Sequence, residues 1–261
     1  VYEVIAIISG VLIDYELHQQ RLLRSLKELE IELPTTPRVL RLILQEVVRR
    51  NRIKSGLCYL QISRGIAPRN HAFPTAVRPS LIVTAKHSQP AGGKATIDGV
   101  TVVTVPDIRW RRRDIKAISL LPNVLAKEKA AKSQAFEAWL VEGEQEQTVV
   151  EGSSSNAWMI NTHGELITHP AGHKILSGIT RNRLISLAVD NGIKVIEEPF
   201  SIAQAKGASE TFLTSTSSFV VPVTSVDGSK IGDGTPGPVT RSLVKMYGDF
   251  VVDYCRTALG G

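Results

Sequence analysis

Glu151-Gly152-Ser153-Ser154-Ser155-Asn156 is the stretch on which the reading of this chain turns. A carboxylate followed by glycine, three hydroxyls and a carboxamide reads as a turn whose small side chains lie close to a planar ring. Runs of Ser, Gly and Asn are also ordinary loop chemistry, so the stretch gains weight only from its neighbours. Lys116, in Asp114-Ile115-Lys116-Ala117-Ile118-Ser119, stands thirty-five residues upstream. It lies between a basic run and the apolar Ala117 to Pro122, where partial burial favours the free amine. Downstream, Gly178-Ile179-Thr180-Arg181 opens a helix whose free amides, with the Thr180 hydroxyl, can bind a phosphate dianion. An ordinary threonine cap is the competing reading there.

A lysine can hold an aldehyde as a Schiff base, a carboxylate can keep a pyridine nitrogen protonated, and a helix start can hold a phosphate. The three segments together therefore read as a pyridoxal 5'-phosphate site. A second hydroxyl-rich turn, Thr214-Ser215-Thr216-Ser217-Ser218, closes the phosphate cup from another strand end. No Walker loop with its Gly-Lys-Ser/Thr ending occurs, which disfavours nucleotide-dependent chemistry. Arg64-Gly65-Ile66-Ala67-Pro68-Arg69-Asn70-His71 follows a strand that carries Tyr59, and Pro68 stiffens it. Arg69 and His71 there suit a carboxylate trap, since arginine binds a carboxylate through two parallel hydrogen bonds and histidine adds a donor. The plain alternative is an exposed loop with no ligand.

Composition narrows the class. At 261 residues and 43% hydrophobic content the chain can bury a sizeable core as one large domain or two modest ones. Its longest apolar runs, Val100 to Val105 and Phe219 to Val223, fall far short of the ~20 residues of a spanning helix. With no charged-then-apolar start either, a cytoplasmic protein with no membrane partner is expected. Two cysteines, Cys58 and Cys255, are too few for a disulfide framework or a thiolate metal site, so no metal is expected. The net charge of +6 and the Arg109-Trp110-Arg111-Arg112-Arg113 cluster invite a nucleic-acid reading. Aromatic residues at 5%, with no rings interleaved among the arginines, argue against it. The cluster suits attraction of anionic substrates instead.

Periodicity predicts amphipathic helices over 16–31 and 38–50, separated by Pro34 and Pro37, then strands over 57–64 and 80–85. Tyr59, Gln61 and Ser63 fall on one side of the first strand. The Pro- and Gly-rich 88–93 is the expected linker between a small N-terminal α/β domain, 1–87, and a larger domain, 94–261. In the latter, strands over 99–105 and 138–142 flank a helix over 123–136, and strands over 148–150 and 157–160 bracket the serine run. A helix over 180–190 stops at Asn191-Gly192. Strands over 211–213 and 219–223 and a last helix over 239–247 complete the pattern. The fold class is α/β (α+β), with two domains.

The ordered segments resemble the fold-type IV pyridoxal phosphate-dependent aminotransferases, and most specifically the D-amino acid aminotransferases. The resemblance runs through Val1-Tyr2-Glu3-Val4, Arg64 to His71, Asp107-Ile108-Arg109-Trp110, Asp114-Ile115-Lys116, Leu125-Ala126-Lys127, Glu151 to Asn156, Thr168-His169-Pro170, Ile175 to Arg181 and Thr214-Ser215-Thr216. It implies a larger domain of mixed sheet or barrel with helices, and a further strand segment ahead of Val1. Lys116 would be the Schiff-base lysine and proton shuttle, and Glu151 the partner of the pyridine nitrogen. Arg21, with His18, would reach the phosphate alongside Ile179, Thr180, Ser215 and Thr216, while Ser154 and Leu176 would lie at the ring. Tyr2, Tyr59, Arg69 and His71 would bind substrate, the last two across a homodimer interface. The implied reaction is ping-pong transamination between a D-amino acid, of the D-alanine or D-glutamate type, and 2-oxoglutarate or pyruvate. Branched-chain L-aminotransferase or aminodeoxychorismate lyase chemistry is the alternative. The intact Arg-x-His trap favours the D-branch, and the basic 111–113 hints at acidic substrates.

Overall fold

Strict alternation builds the first sheet. Along Tyr2–Ile8 (β1) the side chains of Glu3, Ile5 and Ile7 share the buried face, as a period of two requires. β1 pairs antiparallel with Val11–Leu12 (β2) and with Ser55–Ser63 (β3), and β3 pairs antiparallel with Ser80–His87 (β4). The order is β2-β1-β3-β4. Two helices, Tyr15–Glu28 (α1) and Pro37–Arg50 (α2), lay Leu22, Leu26, Leu40, Leu44 and Val48 against Ile5, Ile7, Cys58, Leu60 and Ile62. Thr36 accepts the Val39 amide and Pro37 fits the first helical turn, so α2 starts one residue before the expected position. α1 stops three residues before its expected end, because Glu30 turns to φ +50° and Ile31 donates back to the Leu26 carbonyl.

A computed structural model describes residues 1–88 and 93–260. They divide into two units: residues 1–88 with Ile115–Ile118 and 254–260, and residues 93–114 with 119–253. Of the expected linker, residues 89–92 lie outside the described residues. Lys116 thus belongs to the first unit although the sequence around it belongs to the second.

The second unit is built on a ten-stranded mixed sheet. Its elements in chain order are Gly93–Asp98 (α3), Val100–Pro106 (β5), Leu121–Lys132 (α4), Glu137–Glu142 (β6), Thr148–Gly152 (β7), Asn156–Ile160 (β8) and Leu166–Thr168 (β9). Then come Ile179–Asp190 (α5), Val195–Glu197 (β10), Phe200–Ser201 (β11), Ile202–Lys206 (α6), Glu210–Ser215 (β12), Phe219–Val226 (β13), Ser229–Lys230 (β14) and Pro238–Gly260 (α7), whose last residues count with the first unit. The sheet runs β10-β9-β8-β12-β13-β5-β6-β7-β11, with β14 attached to β13. Its main core gathers Val102, Trp139, Val149, Phe200, Leu213, Val221 and Val223. Ala126 and Ala130 of α4 pack on Ala138 and Leu140, small residues that let the helix approach the sheet closely.

Three expectations shift. The helix expected over 123–136 runs instead from Leu121 to Lys132, since Pro122 suits a first turn and Gln134 at φ +56° ends the run. The last helix extends to Gly260 rather than 247, carried by a buried stripe of Leu243, Tyr247, Val251 and Cys255 at intervals of four. Glu151 and Gly152 belong to strand β7, so the turn is confined to Ser153–Ser155.

Candidate active site

The lysine backbone is fixed from both sides. The Tyr2 amide donates to the Lys116 carbonyl at 3.1 Å, and the Lys116 amide donates to Ser25 Oγ at 3.3 Å. Lys116 Nζ lies 4.4 Å from the centroid of the Tyr2 ring, which stacks on Tyr59 at 5.8 Å. A ring face favours the ammonium form. Tyr59 donates its hydroxyl to Gln61 Oε1 at 2.7 Å, so Tyr2, Tyr59 and Lys116 form one group. Beside Tyr2 on β1, the buried Glu3 takes Arg21 Nε at 2.8 Å and Arg21 Nη2 at 2.7 Å, and meets His18 Nδ1 at 2.8 Å. Burial pushes the Glu3 carboxyl up, but Arg21 and His18 outweigh it and hold the group at about 2. Burial pushes His18 down, against the pull of Glu3. Glu3 therefore orients the two residues expected at the phosphate, a role that sequence reasoning did not give it.

In the second unit Glu151 is buried and ringed by donors. Arg109 Nη1 donates to Oε1 at 2.5 Å, the Leu176 amide donates to both oxygens at 3.2 and 3.1 Å, and Asn156 Nδ2 donates to Oε2 at 3.0 Å. Burial pushes the Glu151 carboxyl up, with Arg109 pulling the other way. Arg109 is forked onto Asp107, through Nε at 3.0 Å and Nη2 at 2.7 Å. Asp-x-Arg in extended chain puts both side chains on one side, a signal legible in Asp107-Ile108-Arg109. The neighbouring arginines are also paired: Arg113 with Asp107 and Glu142, Arg112 with Asp114. The cluster expected to draw in anions is in large part an internal brace.

Asn156 joins three elements. Besides Glu151, its amide nitrogen donates to the Leu176 carbonyl at 3.0 Å. A Cβ on Gly178 would come within 2.0 Å of Asn156 Oδ1, so only glycine fits there. Asn156 also pairs with Thr214 in the β8–β12 register, which brings the 214–216 turn to the same end of the sheet. Gly178 is the N-cap of α5 and makes no side-chain cap bond, so the amides of Ile179 and Thr180 keep their hydrogen-bonding capacity. Thr180 lies inside the first turn, buried, and is not the cap. Ser215 Oγ accepts the Ser218 amide at 3.1 Å and shapes its own turn, with Thr216 next to it. Arg181, buried beneath this start, donates to the His169 carbonyl at 2.8 Å and pairs with Glu197.

The serine run behaves differently from its reading. Ser153, Ser154 and Ser155 all donate their hydroxyls to the buried Glu137, at 2.5, 2.8 and 3.0 Å. They thus anchor the β7–β8 turn to β6 rather than turning their protons to a ligand. Arg69 and His71 are exposed on the segment after β3. The structure therefore groups Glu151, Leu176, Ile179, Thr180 and the 214–216 turn around Asn156, and groups Tyr2, Tyr59 and Lys116 separately with Arg21 nearby in sequence order along the first unit.

One glycine run escaped the sequence reading: Gly232-Asp233-Gly234-Thr235-Pro236-Gly237 has dinucleotide-fingerprint spacing ahead of a helix. Its helix start is already filled, since Glu210 accepts the Val239 and Thr240 amides at 2.9 and 2.7 Å. A second carboxylate-like anion has no place there. Among the described residues no cluster of His, Cys, Asp or Glu could hold a metal, and no helix is long and apolar enough to cross a membrane.

The Glu151 donor set fits a pyridine ring. A carboxylate has about four lone-pair sites, and three donor groups occupy this one, leaving room for one more N–H. The uncapped start of α5 fits a phosphate. Comparison with known proteins agrees with this chemistry. The amino-transferase class IV family model matches residues 1–226. The chain is 41% identical to the D-alanine aminotransferase of Staphylococcus haemolyticus over 253 residues, 96% of this chain and 88% of the relative. The branched-chain amino acid aminotransferase of Escherichia coli superposes with TM-score 0.84 at 26% identity, over 94% of this chain and 83% of the other. The branched-chain aminotransferase of a second bacterium, T.th., solved with pyridoxamine 5'-phosphate, gives TM-score 0.85 at 28% identity, over 95% and 83%. The chain belongs to the class IV aminotransferases.

Proposed function

We propose that this protein is a pyridoxal 5'-phosphate-dependent transaminase exchanging amino and keto groups between D-amino acids of the D-alanine or D-glutamate type and 2-oxoglutarate or pyruvate. The observation that carries the reading is the buried Glu151 carboxylate with one acceptor position left, beside the uncapped start of α5. Pyridoxal phosphate, when bound, supplies an aldehyde that takes up amines and a protonated ring that draws electrons from the substrate's α-carbon. Glu151 accepts the ring N–H, and the positive ring offsets the burial that otherwise disfavours its charge. The Ile179 and Thr180 amides bind the phosphate, with the 214–216 turn and Arg21. Lys116 anchors the aldehyde and, as a released amine, takes the α-proton and returns it one atom away. Tyr2 keeps its ring against that amine.

Arg69 and His71 bind the substrate carboxylate with Tyr2 and Tyr59. Their exposure, together with that of Ile66 and Phe73 on the same segment, supports a homodimer that supplies them across its interface. Two buried free thiols, Cys58 and Cys255, support a reducing, cytoplasmic setting; burial pushes Cys58 up to about 11. The D-specific substrate class rests on the Staphylococcus relative and the Arg-x-His segment, whereas the superposed branched-chain enzymes favour the alternative. The visible spectrum of the protein loaded with pyridoxal phosphate decides between them. Loss of its band on adding D-alanine or D-glutamate without acceptor is expected. Loss with L-leucine alone would move the assignment to the branched-chain activity, and no band at all would overturn it.

A further inference from the structure

We propose that Asn156 is a positioning residue that sets both the direction and the ionisation of the Glu151 carboxylate toward the cofactor ring. The inference rests on the cofactor reading above. Asn156 is 5% exposed, and its single amide group spans two acceptors, Glu151 Oε2 and the Leu176 carbonyl, each at 3.0 Å. Leu176 in turn donates its amide to Glu151, so the carboxylate, the carboxamide and one peptide unit close a ring of hydrogen bonds. That ring fixes the rotation of the carboxylate. With Arg109 on Oε1 and Asn156 on Oε2, the position left for a further donor is defined by subtraction. The other face of the carboxamide presses on Gly178, where a Cβ would meet Oδ1 within 2.0 Å. Asn156 thereby ties the acceptor for the ring nitrogen to the helix start expected at the phosphate, two contacts that one rigid cofactor must satisfy together.

The role is separable from plain packing, because only a ligand with a basic ring nitrogen senses Glu151. The test compares the dissociation constants of pyridoxal phosphate and of 1-deazapyridoxal phosphate, which has carbon in place of that nitrogen, for the full chain and two variants. Asn156→Ala removes the donor, and Asn156→Asp keeps the shape but turns an acceptor toward two acceptors, so it carries the test if the alanine variant fails to fold. A hydrogen bond to a charged group lost at this point should reduce the preference for pyridoxal phosphate over its deaza analogue by about tenfold or more. Equal weakening of both ligands, or none, would overturn the assignment while leaving the cofactor reading intact. An unsubstituted protein that binds neither ligand, or shows no preference for the ring nitrogen, would overturn the Glu151 reading and this inference with it.

Discussion

Lys116→Ala should cut turnover by several orders of magnitude, since it removes the anchoring amine and the proton carrier together. Steady-state rates with D-alanine and 2-oxoglutarate measure this, and near-normal turnover would remove Lys116 from the mechanism. Arg69→Ala should chiefly raise KM through weaker carboxylate binding, and an unchanged KM for every substrate would sink its place in the trap. Arg109→Gln deletes the charge that opposes the burial of Glu151, so pyridoxal phosphate should bind at least about tenfold more weakly. Equilibrium titration of the cofactor checks that. Lys116 and Glu151 were legible because each stands in a short, unusual context. Glu3, Arg109 and Asn156 were not assigned roles, because their partners are set by strand pairing and loop return: Arg109 reaches Glu151 across 42 positions. The hint for Glu3 was its parity with Ile5 and Ile7, since a carboxylate on a core-facing strand position requires a buried partner.

The start of α5 is a fitted joint. Gly178→Ala would drive a methyl into the Asn156 carboxamide, which two hydrogen bonds hold in place, so the strain should cost about 1–3 kcal/mol and weaken phosphate binding. Wild-type denaturant midpoints and cofactor affinity would contradict this geometry. At α7, Glu210→Ala leaves two amides without their carboxylate and should destabilise by about 2 kcal/mol, with the cofactor spectrum unmoved. Helices α1 and α2 were readable from apolar spacing, and Thr36-Pro37 marked the start of α2. The length of α7 was hidden because Gly248 weakens the helical pattern, while the stripe that overrides it is seen only once Cys255 is known to be buried. The β7–β8 turn misled for a similar reason: its serines look ligand-directed until Glu137, on another strand, is placed among them.

Across the chain as a whole, acid should unfold the protein in two stages. His18 is pushed down in the fold, so stability begins to fall as pH drops below the unfolded histidine value of 6.5. Glu3 is held at about 2 against an ordinary 4.5, so its contribution, about 3 kcal/mol, is complete above 4.5 and lost as pH falls toward 2. Glu3→Gln should flatten that lower limb and lower the urea midpoint at pH 7; an unaltered pH dependence would show that the Glu3–Arg21–His18 group carries no such linkage. The larger plan, two sheets with helices and a lysine between strand and helix, followed from period and punctuation. That Lys116 counts with the N-terminal unit did not, because it depends on the Tyr2 and Ser25 contacts rather than on its neighbours in sequence. The most direct measurement is to reduce the pyridoxal phosphate-loaded protein with borohydride, digest it and locate the cofactor by mass spectrometry. The phosphopyridoxyl group should be found on Lys116; its attachment to another lysine, or to none, would contradict the mechanism.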